Sequence, residues 1–162
     1  MKEKFALSPV VIAKMEDLPA WYRLTEEVEP LFGPMIADPA FQQALQNNIE
    51  RGTAFCIREA GGPPGAALLG GLLFSPKPPV YTIGWLAVTQ RARRQEVGQQ
   101  IVEYVLHQVK PPAEIVVTTF GDGHPAGEPA RRFYRKMGFQ VAEPMPDGPE
   151  GGPRQNFRLL LR

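Results

Sequence analysis

Cysteine and histidine are scarce in this chain of 162 residues, and neither sign of charge is in excess. Cys56 is the single cysteine, so no intramolecular disulfide can form, which fits a reducing compartment. With two histidines and one cysteine, no cluster has metal-ligand spacing. Lys and Arg total 18 against 17 Asp and Glu, and the net charge of +1 argues against a general nucleic-acid binder.

Long hydrophobic runs are also missing. No stretch of 18 apolar residues occurs and no apolar signal core follows the first residues, so we expect a cytoplasmic protein without a membrane span. Apolar residues make up 43% of the chain, an ordinary globular composition, and the length suits a single domain over residues 1–162. The 16 glycines and 18 prolines cluster between periodic segments and predict abundant loops.

Hydrophobic periodicity predicts a mixed α/β order of elements. The first helix is expected to begin at an N-cap on Asp17 and to be broken by Pro30, and the second to run from Asp38 to Gly52. Strands at 81–88 and 114–120, joined by a helix at 97–109, predict a parallel crossover pair; the other predicted elements are strands at 10–13, 53–58, 66–74, 139–142 and 155–162, a helix at 130–137 and a loop over 144–153.

A basic turn between a buried strand and a helix is the first candidate site. Arg91, Arg93 and Arg94 precede the predicted helix, whose first amides lack intrahelical partners and lie at the positive end of the helix dipole. That combination is typical of a phosphate site. A solvated basic turn explains the same residues, so physical reasoning alone leaves both interpretations open.

Residues 93–98, Arg-Arg-Gln-Glu-Val-Gly, resemble the pyrophosphate-binding motif of the GNAT acyltransferase superfamily. In that motif Gln or Arg, two residues, Gly, one residue and Gly or Ala follow the fourth strand. Gly98 matches the second small position, whereas Glu96 stands where the first glycine is usual. A carboxylate there stabilises the helix dipole but competes with a phosphate.

A second segment carries the same resemblance. Residues 130–139, Ala-Arg-Arg-Phe-Tyr-Arg-Lys-Met-Gly-Phe, are similar to the family's short helix with its Ala, two residues, Phe-Tyr and a Gly-Phe ending. Gly127 stands where the family usually has Asn, which removes one side-chain contact to the cofactor. The order of elements from Val10 to Arg162 also fits, so the resemblance covers nearly the whole chain.

The resemblance implies a fold, an acyl donor and an activity. The fold is mixed α/β (α+β), with a central, mostly antiparallel twisted sheet, flanking helices and a parallel strand pair that splays apart near Val88 and Phe120. The donor is acetyl-CoA, and the activity is direct transfer of acetyl to an amine of a small molecule or peptide. Many relatives are homodimers, which leaves a homodimer open here.

The resemblance also implies site residues. Tyr134 matches the catalytic acid that protonates the leaving CoA thiolate, with a core tyrosine as the competing interpretation. The residues implied to bind the cofactor are Leu86, Ala87, Val88, Arg93, Arg94, Gln95, Glu96, Val97, Gly98, Gln99, Phe133 and Tyr134. The basic residues of the short helix, Arg131, Arg132, Arg135 and Lys136, are expected on a solvated face, where one is a candidate for the 3′-phosphate of CoA.

The general base and the acceptor stay open. The candidate bases are His124, Glu26, Glu27 and Glu128. Acceptor specificity is expected from residues 29–38 and from the loop 144–153. The candidates for lining a pocket are Trp21, Tyr22, Phe32 and Met35, with core packing as the favoured interpretation of Trp21 and Tyr22. Acidic residues in and beside that loop, namely Glu143, Asp147 and Glu150, either attract a cationic amine or keep the loop soluble.

Two other functions compete with acetyl transfer. Glu96 and Gly127 depart from the family pattern, which fits a non-catalytic acyl-CoA-binding or regulatory domain. A nucleic-acid-binding domain that uses the basic turn is disfavoured by the net charge of +1. Acetyl-CoA binding without transfer to any amine distinguishes the first alternative from an enzyme.

Overall fold

The computed structural model describes residues 8–93 and 95–162. Within them, strands and α-helices follow in the order β1 (Val10–Ile12), α1 (Leu18–Phe32), α2 (Pro39–Arg51), β2 (Ala54–Arg58), β3 (Leu68–Lys77), β4 (Val80–Val88), α3 (Val97–His107), β5 (Ala113–Phe120), α4 (Glu128–Lys136), β6 (Gln140–Met145) and β7 (Arg154–Leu161). None of the helices in this part of the chain combines the length and apolar character that a membrane crossing needs.

The strands form one seven-stranded sheet in the order β1-β2-β3-β4-β5-β7-β6. β4 and β5 are parallel, and every other neighbouring pair is antiparallel. The helix between the two parallel strands is α3, as a crossover requires. The expected mixed α/β fold with a mostly antiparallel sheet is therefore confirmed.

Two predicted boundaries are wrong because proline is tolerated there. α1 continues through Pro30 to Phe32, and the helix closes with a 2.8 Å bond from the Gly33 amide to the Glu29 carbonyl. β6 continues through Pro144, which was predicted to begin a loop, to Met145. β6 is an edge strand with a shifted register before Pro144, and edges and bulges are where a sheet accepts proline.

α2 begins and ends as predicted. The Asp38 carboxylate accepts a hydrogen bond from the Ala40 amide at 2.9 Å, and Pro39 opens the helix. Gly52 follows the last helical residue with φ 73°, a left-handed conformation that glycine adopts without a Cβ penalty.

Helices cover both faces of the sheet. Successive β2 residues point to opposite faces, so Cys56 packs with Trp21 and Leu45 under α1 and α2, while Phe55 and Ile57 pack under α3. Both layers lie close to β3, because a Cβ on Gly71 would overlap the Trp21 ring of α1 and a Cβ on Gly70 would lie 2.8 Å from the Val97 side chain of α3. Cys56 is fully buried, and burial raises the pKa of its thiol to about 12.

Asp17 is the N-cap residue of α1, as predicted, but its side chain is buried in an ion pair and makes no capping hydrogen bond. Its carboxylate accepts Nε and Nη2 of Arg58 at 2.9 and 2.8 Å. It also accepts the amides of Gly65 at 2.9 Å and Lys14 at 2.8 Å. One carboxylate therefore ties the start of α1 to the end of β2 and to the loop before β3.

Candidate active site

β4 and β5 pair over only part of their length. Their aligned register ends at Ile83 and Val117, whereas β4 continues to Val88 and β5 to Phe120. Beyond the last pair the two strands form the expected splayed pair, which we call the fork.

A bulge in β4 marks the point where the fork opens. Leu73 of β3 pairs with Trp85, but the next residue, Phe74, pairs with Ile83, so Gly84 is an extra residue in β4. A bulge of this kind bends its strand and increases the local twist. β4 therefore turns away from β5 at Gly84 while it stays paired with β3.

A cavity of about 290 Å³ occupies the fork, and most of its wall is apolar. It is lined by Ile83, Gly84, Trp85 and Leu86 of β4, by Val117, Thr118, Thr119 and Phe120 of β5, by Ala130, Phe133 and Tyr134 of α4, and by Phe32, Met35, Pro149, Glu150 and Arg154. The predicted Leu86, Phe133 and Tyr134 thus line one cavity, and so do the predicted acceptor residues Phe32, Met35 and Glu150.

The backbone of β4 offers hydrogen-bonding groups to the fork. The Thr89 amide donates to the Leu69 carbonyl of β3 at 2.9 Å. Backbone groups alternate sides along a strand, so Ala87 also directs its backbone toward β3. Leu86 and Val88 therefore direct their N–H and C=O groups toward the fork.

The N-terminus of α3 begins with a strained residue. Glu96 precedes the helix with φ 61° and ψ 21°, a left-handed conformation in which glycine carries no Cβ penalty. Val97, Gly98 and Gln99 occupy the first helical turn, where amides lack intrahelical acceptors. Exposed Arg93 lies shortly before them.

Gly98 brings this helix start against the rest of the site. A Cβ on Gly98 would lie 3.4 Å from the Phe133 ring of α4 and 3.6 Å from the Val88 side chain. The first turn of α3, the end of β4 and α4 therefore meet at the fork. Gln95 is exposed in the same turn, and Arg94 lies outside the described residues.

Tyr134 is buried and also lines the cavity. Its ring packs edge-on against Phe133 and Phe139, with centroids 5.1 and 5.5 Å apart. Burial raises the pKa of the phenol above its ordinary value of about 10, so the hydroxyl stays protonated at neutral pH. The side chain is a fixed neutral proton donor at the wall of the fork.

Gly127 has no room for the usual asparagine. A Cβ there would lie 2.8 Å from Cβ of Phe120 and 3.3 Å from Cβ of His124. The departure from the family pattern thus reflects the close packing of the loop after β5.

Arg131 is buried, which corrects the prediction that it lies on a solvated face. Its Nη1 donates to the Phe120 carbonyl at 3.0 Å and to Oε1 of Gln155 at 2.8 Å, and its guanidinium lies 5.1 Å from the centre of the Phe157 ring. Arg131 therefore fastens α4 to β5 and β7. The remaining basic residues of this segment, Arg132, Arg135 and Lys136, are exposed as predicted.

None of the four candidate bases lines the cavity. Glu26 is exposed on α1, and Glu128 is exposed and lies 3.6 Å from Arg132. Glu27 accepts the Thr89 hydroxyl at 2.8 Å and the Gln90 amide at 2.8 Å, so it holds the turn after β4.

His124, the fourth candidate, contacts a residue of the cavity wall. Its Nδ1 accepts the Ala126 amide at 3.0 Å, which assigns the proton of the neutral ring to Nε2. Nε2 lies 3.3 Å from Oε1 of Glu150, which lines the cavity.

Glu143, by contrast, pairs with Arg158 and Asn156, and these bonds lower the pKa of its carboxyl to about 2.

Two features of the site, Arg154 and the bulge at Gly84, were not predicted from the sequence. Arg154 pairs with Phe120 at the start of β7 and lines the cavity. Arg154 lies directly before a predicted strand with polar residues, and such a pattern does not indicate a binding site. Gly84 inside a strand pattern is the one signal that could have indicated the bulge.

A sheet that opens between its two parallel strands, beside a helix start with unpaired amides, defines a class of acyl-CoA-dependent transferases. Residues 50–141 match the model of the acetyltransferase (GNAT) domain. The chain therefore belongs to the GNAT acetyltransferase family, and its acyl donor is acetyl-CoA. A search of curated proteins finds no match.

Solved structures of this family have the same fold. An acetyltransferase from Bacillus cereus is 18% identical with a TM-score of 0.70, over 94% of this chain and 97% of that one. Ard1 from Thermoplasma volcanium is 17% identical with a TM-score of 0.73, over 94% and 97%. The ribosomal-protein-S18-alanine N-acetyltransferase from Escherichia coli is 16% identical with a TM-score of 0.68, over 93% and 92%.

The residues of the fork fit a CoA thioester. Beyond Ile83 the described part of β4 is not paired with β5, and Leu86 lines the mostly apolar cavity there, which suits an amide-bearing arm. The first turn of α3 supplies amides for a pyrophosphate, and Gly98 keeps that turn clear of side-chain bulk. The feature that fits least well is the carboxylate of Glu96 beside those amides.

Replacing Glu96 separates the effect of its charge from that of its backbone. E96G is expected to raise the free energy of unfolding by about 0.5 kcal/mol. The substitution removes the Cβ penalty of the left-handed conformation, and this gain exceeds the entropic cost of ordering a glycine. E96G and E96Q are both expected to lower the Kd of acetyl-CoA about three-fold at low salt, because each removes a charge that repels phosphate. Urea unfolding and calorimetric titration measure the two quantities.

Glu50 provides the control for the Glu96 variants, since it is an exposed glutamate at the end of α2. E50Q is expected to change neither the Kd nor the unfolding midpoint. An E96Q protein that binds acetyl-CoA no better than E50Q would contradict the electrostatic part of this prediction.

Proposed function

We propose that the chain is an N-acetyltransferase that transfers the acetyl group of acetyl-CoA directly to an amine. The observation that carries this proposal is the cavity in the fork, where the β4 backbone and the Tyr134 side chain line the same space. The E. coli neighbour is named for acetylating an alanine of a ribosomal protein, which agrees with an amine acceptor.

Each residue of the fork has a separate role in this proposal. Acetyl-CoA, when bound, supplies a thioester whose carbonyl carbon accepts the amine. The Leu86 amide donates to the carbonyl oxygen as negative charge develops there, as oxyanion-hole donors do. Tyr134 donates its proton to the leaving sulfur, which a neutral phenol can do at pH 7. The amides at residues 97–99 hold the pyrophosphate, with Arg93 nearby.

The test is a calorimetric titration with acetyl-CoA, followed by incubation with a panel of amines and mass spectrometry of the products. We expect binding in the micromolar range and at least one acetylated amine. Binding without transfer to any amine would favour the non-catalytic acyl-CoA-binding alternative. Absence of binding at millimolar acetyl-CoA would reject the proposal.

A further inference from the structure

We infer that the acceptor is a small zwitterionic amine with an apolar side chain, of the class of free α-amino acids; this inference rests on the proposed function. Glu150 meets its ammonium group and Arg154 meets its carboxylate. The acceptor end of the cavity is closed by two loops, and its wall carries these two charged residues together with apolar side chains.

Two loops close the acceptor end of the cavity. A Cβ on Gly33, after α1, would lie 2.9 Å from Cβ of Pro149 and 3.0 Å from the Glu150 amide in the loop between β6 and β7. Beside this contact, the rings of Phe32 and Phe120 stack with centroids 5.4 Å apart. A polypeptide acceptor would have to separate these contacts, whereas a small molecule would not.

Glu150 is held in place at this end by the loop that carries it. Nε2 of His124 lies 3.3 Å from its Oε1, and both side chains are largely buried. A Cβ on Gly152 would lie 2.4 Å from Nε2 of His124, so the loop fits around the pair only because that residue is glycine. The carboxylate is therefore a fixed negative group at the cavity wall, which favours a cationic ligand.

Arg154 supplies the opposite charge. Arg154 lines the cavity, and its Nε donates to the Pro146 carbonyl at 2.8 Å, which restrains the guanidinium. Within residues 8–93 and 95–162, its two terminal nitrogens have no hydrogen-bond or ion-pair partner. A guanidinium with both terminal groups available matches a carboxylate in the bidentate geometry.

The remaining wall of the acceptor end is apolar. Phe32, Met35 and Trp85 line it, so an aliphatic or aromatic side chain would be buried there. The cavity wall thus carries one negative group, one positive group and apolar surface, which are together complementary to an apolar amino acid. An amine without a carboxylate would leave Arg154 unpaired.

The same arrangement accounts for the proton that the acceptor must lose. The ammonium gives one proton to the Glu150 carboxylate, and the freed nitrogen lone pair forms the new N–C bond as the C–S bond breaks. The sulfur takes the Tyr134 proton, and the second amine proton returns to the Tyr134 oxygen. Glu150 then releases its proton to solvent, so the products are the amide, CoA and one proton. His124 acts through Glu150 as a positioning residue.

The experiment compares matched acceptors on the full chain with acetyl-CoA at saturation. The probes are L-leucine, L-methionine and L-phenylalanine, the amides of the same three amino acids, and a Leu-Gly-Gly tripeptide. At least one free amino acid is expected to have a kcat/KM ten-fold or more above that of its amide and above that of the tripeptide.

Variants then assign the charges. R154Q is expected to raise the KM of the preferred amino acid at least ten-fold and to leave that of its amide within two-fold. E150Q is expected to lower kcat for both, and the exposed Arg51→Gln is the control. R154K retains the positive charge but lacks the paired N–H donors of a guanidinium. Its KM for the preferred amino acid is expected to lie between those of R154Q and wild type.

The outcomes separate this inference from the proposed function. Equal rates for an amino acid, its amide and the tripeptide would overturn the zwitterion assignment and leave N-acetyl transfer standing. An R154Q protein whose KM rises as much for the amide as for the amino acid would also overturn the zwitterion assignment. If acetyl-CoA binds and no amine is acetylated, the proposed function fails and the inference fails with it.

Discussion

Tyr134→Phe is expected to lower kcat about 100-fold, because proton donation to a leaving group contributes at least this much in typical enzymes. The Kd of acetyl-CoA should stay within two-fold, since the ring and its contacts with Phe133 and Phe139 are retained. Product formation measured by mass spectrometry gives kcat, and calorimetric titration gives the Kd. Loss of affinity with intact turnover would reject the acid role.

The pH dependence gives a second readout of Tyr134. An acid must be protonated to act, and burial raises the pKa of this phenol above its ordinary value of about 10. The wild-type rate should therefore show no alkaline decline from Tyr134 up to about pH 10. Tyr104→Phe is the matched control, because Tyr104 packs against Phe55 in the same core cluster and does not line the cavity.

Asp17→Asn is expected to lower the free energy of unfolding by about 3 kcal/mol, the low end of the cost of removing one partner from a buried ion pair. Asp17 is fully buried and Arg58 is 8% exposed, so the remaining guanidinium would lose its counter-charge away from water. Urea unfolding at pH 7 measures the change. The exposed pair of Glu128 and Arg132 is the comparison, and Glu128→Gln should cost about 0.5 kcal/mol or less.

The same carboxylate predicts acid sensitivity. Burial alone would raise the pKa of Asp17, but hydrogen bonds from Arg58, Gly65 and Lys14 outweigh it and hold the pKa below its ordinary value. The stabilisation is therefore complete above the ordinary pKa of about 3.9 and is lost as the pH falls toward the lowered one. Below about pH 4 the unfolding midpoints of wild type and Asp17→Asn should converge. Unfolding midpoints of the two proteins that differ by the same amount at every pH would contradict the role given to the Asp17 carboxylate.

Local signals in the sequence were sufficient for most of the fold. Asp38, Pro39 and Gly52 act within a few residues of themselves, so their roles at the ends of α2 could be predicted. The order of strands and helices between 81 and 120 likewise determines the parallel pair. The effects of Pro30 and Pro144 were predicted wrongly because whether a proline ends an element depends on its neighbours in space. Among the described strands, for example, β6 lies at the edge of the sheet.

The site could be predicted in part for the same reason. Phe133 and Tyr134 belong to a motif within one short helix, and the structure brings them to the cavity with Leu86. The burial of Arg131 and the ion pair of Asp17 could not be predicted, because their partners, Gln155 and Arg58, are 24 and 41 residues away in the sequence. Arg154 reaches the cavity through strand pairing with β5, a relation that no local pattern contains.

Because Cys56 is buried in β2, its reaction with an added reagent reports local opening of the sheet. The chain has no other cysteine, and a fully buried thiol with a pKa of about 12 reacts with an alkylating reagent only after β2 separates from its neighbours. Its alkylation rate in the absence of denaturant therefore measures the free energy of local opening at the centre of the β1-β2-β3 region. The same inertness means that thiol released during turnover can be counted directly, without a background from the folded enzyme.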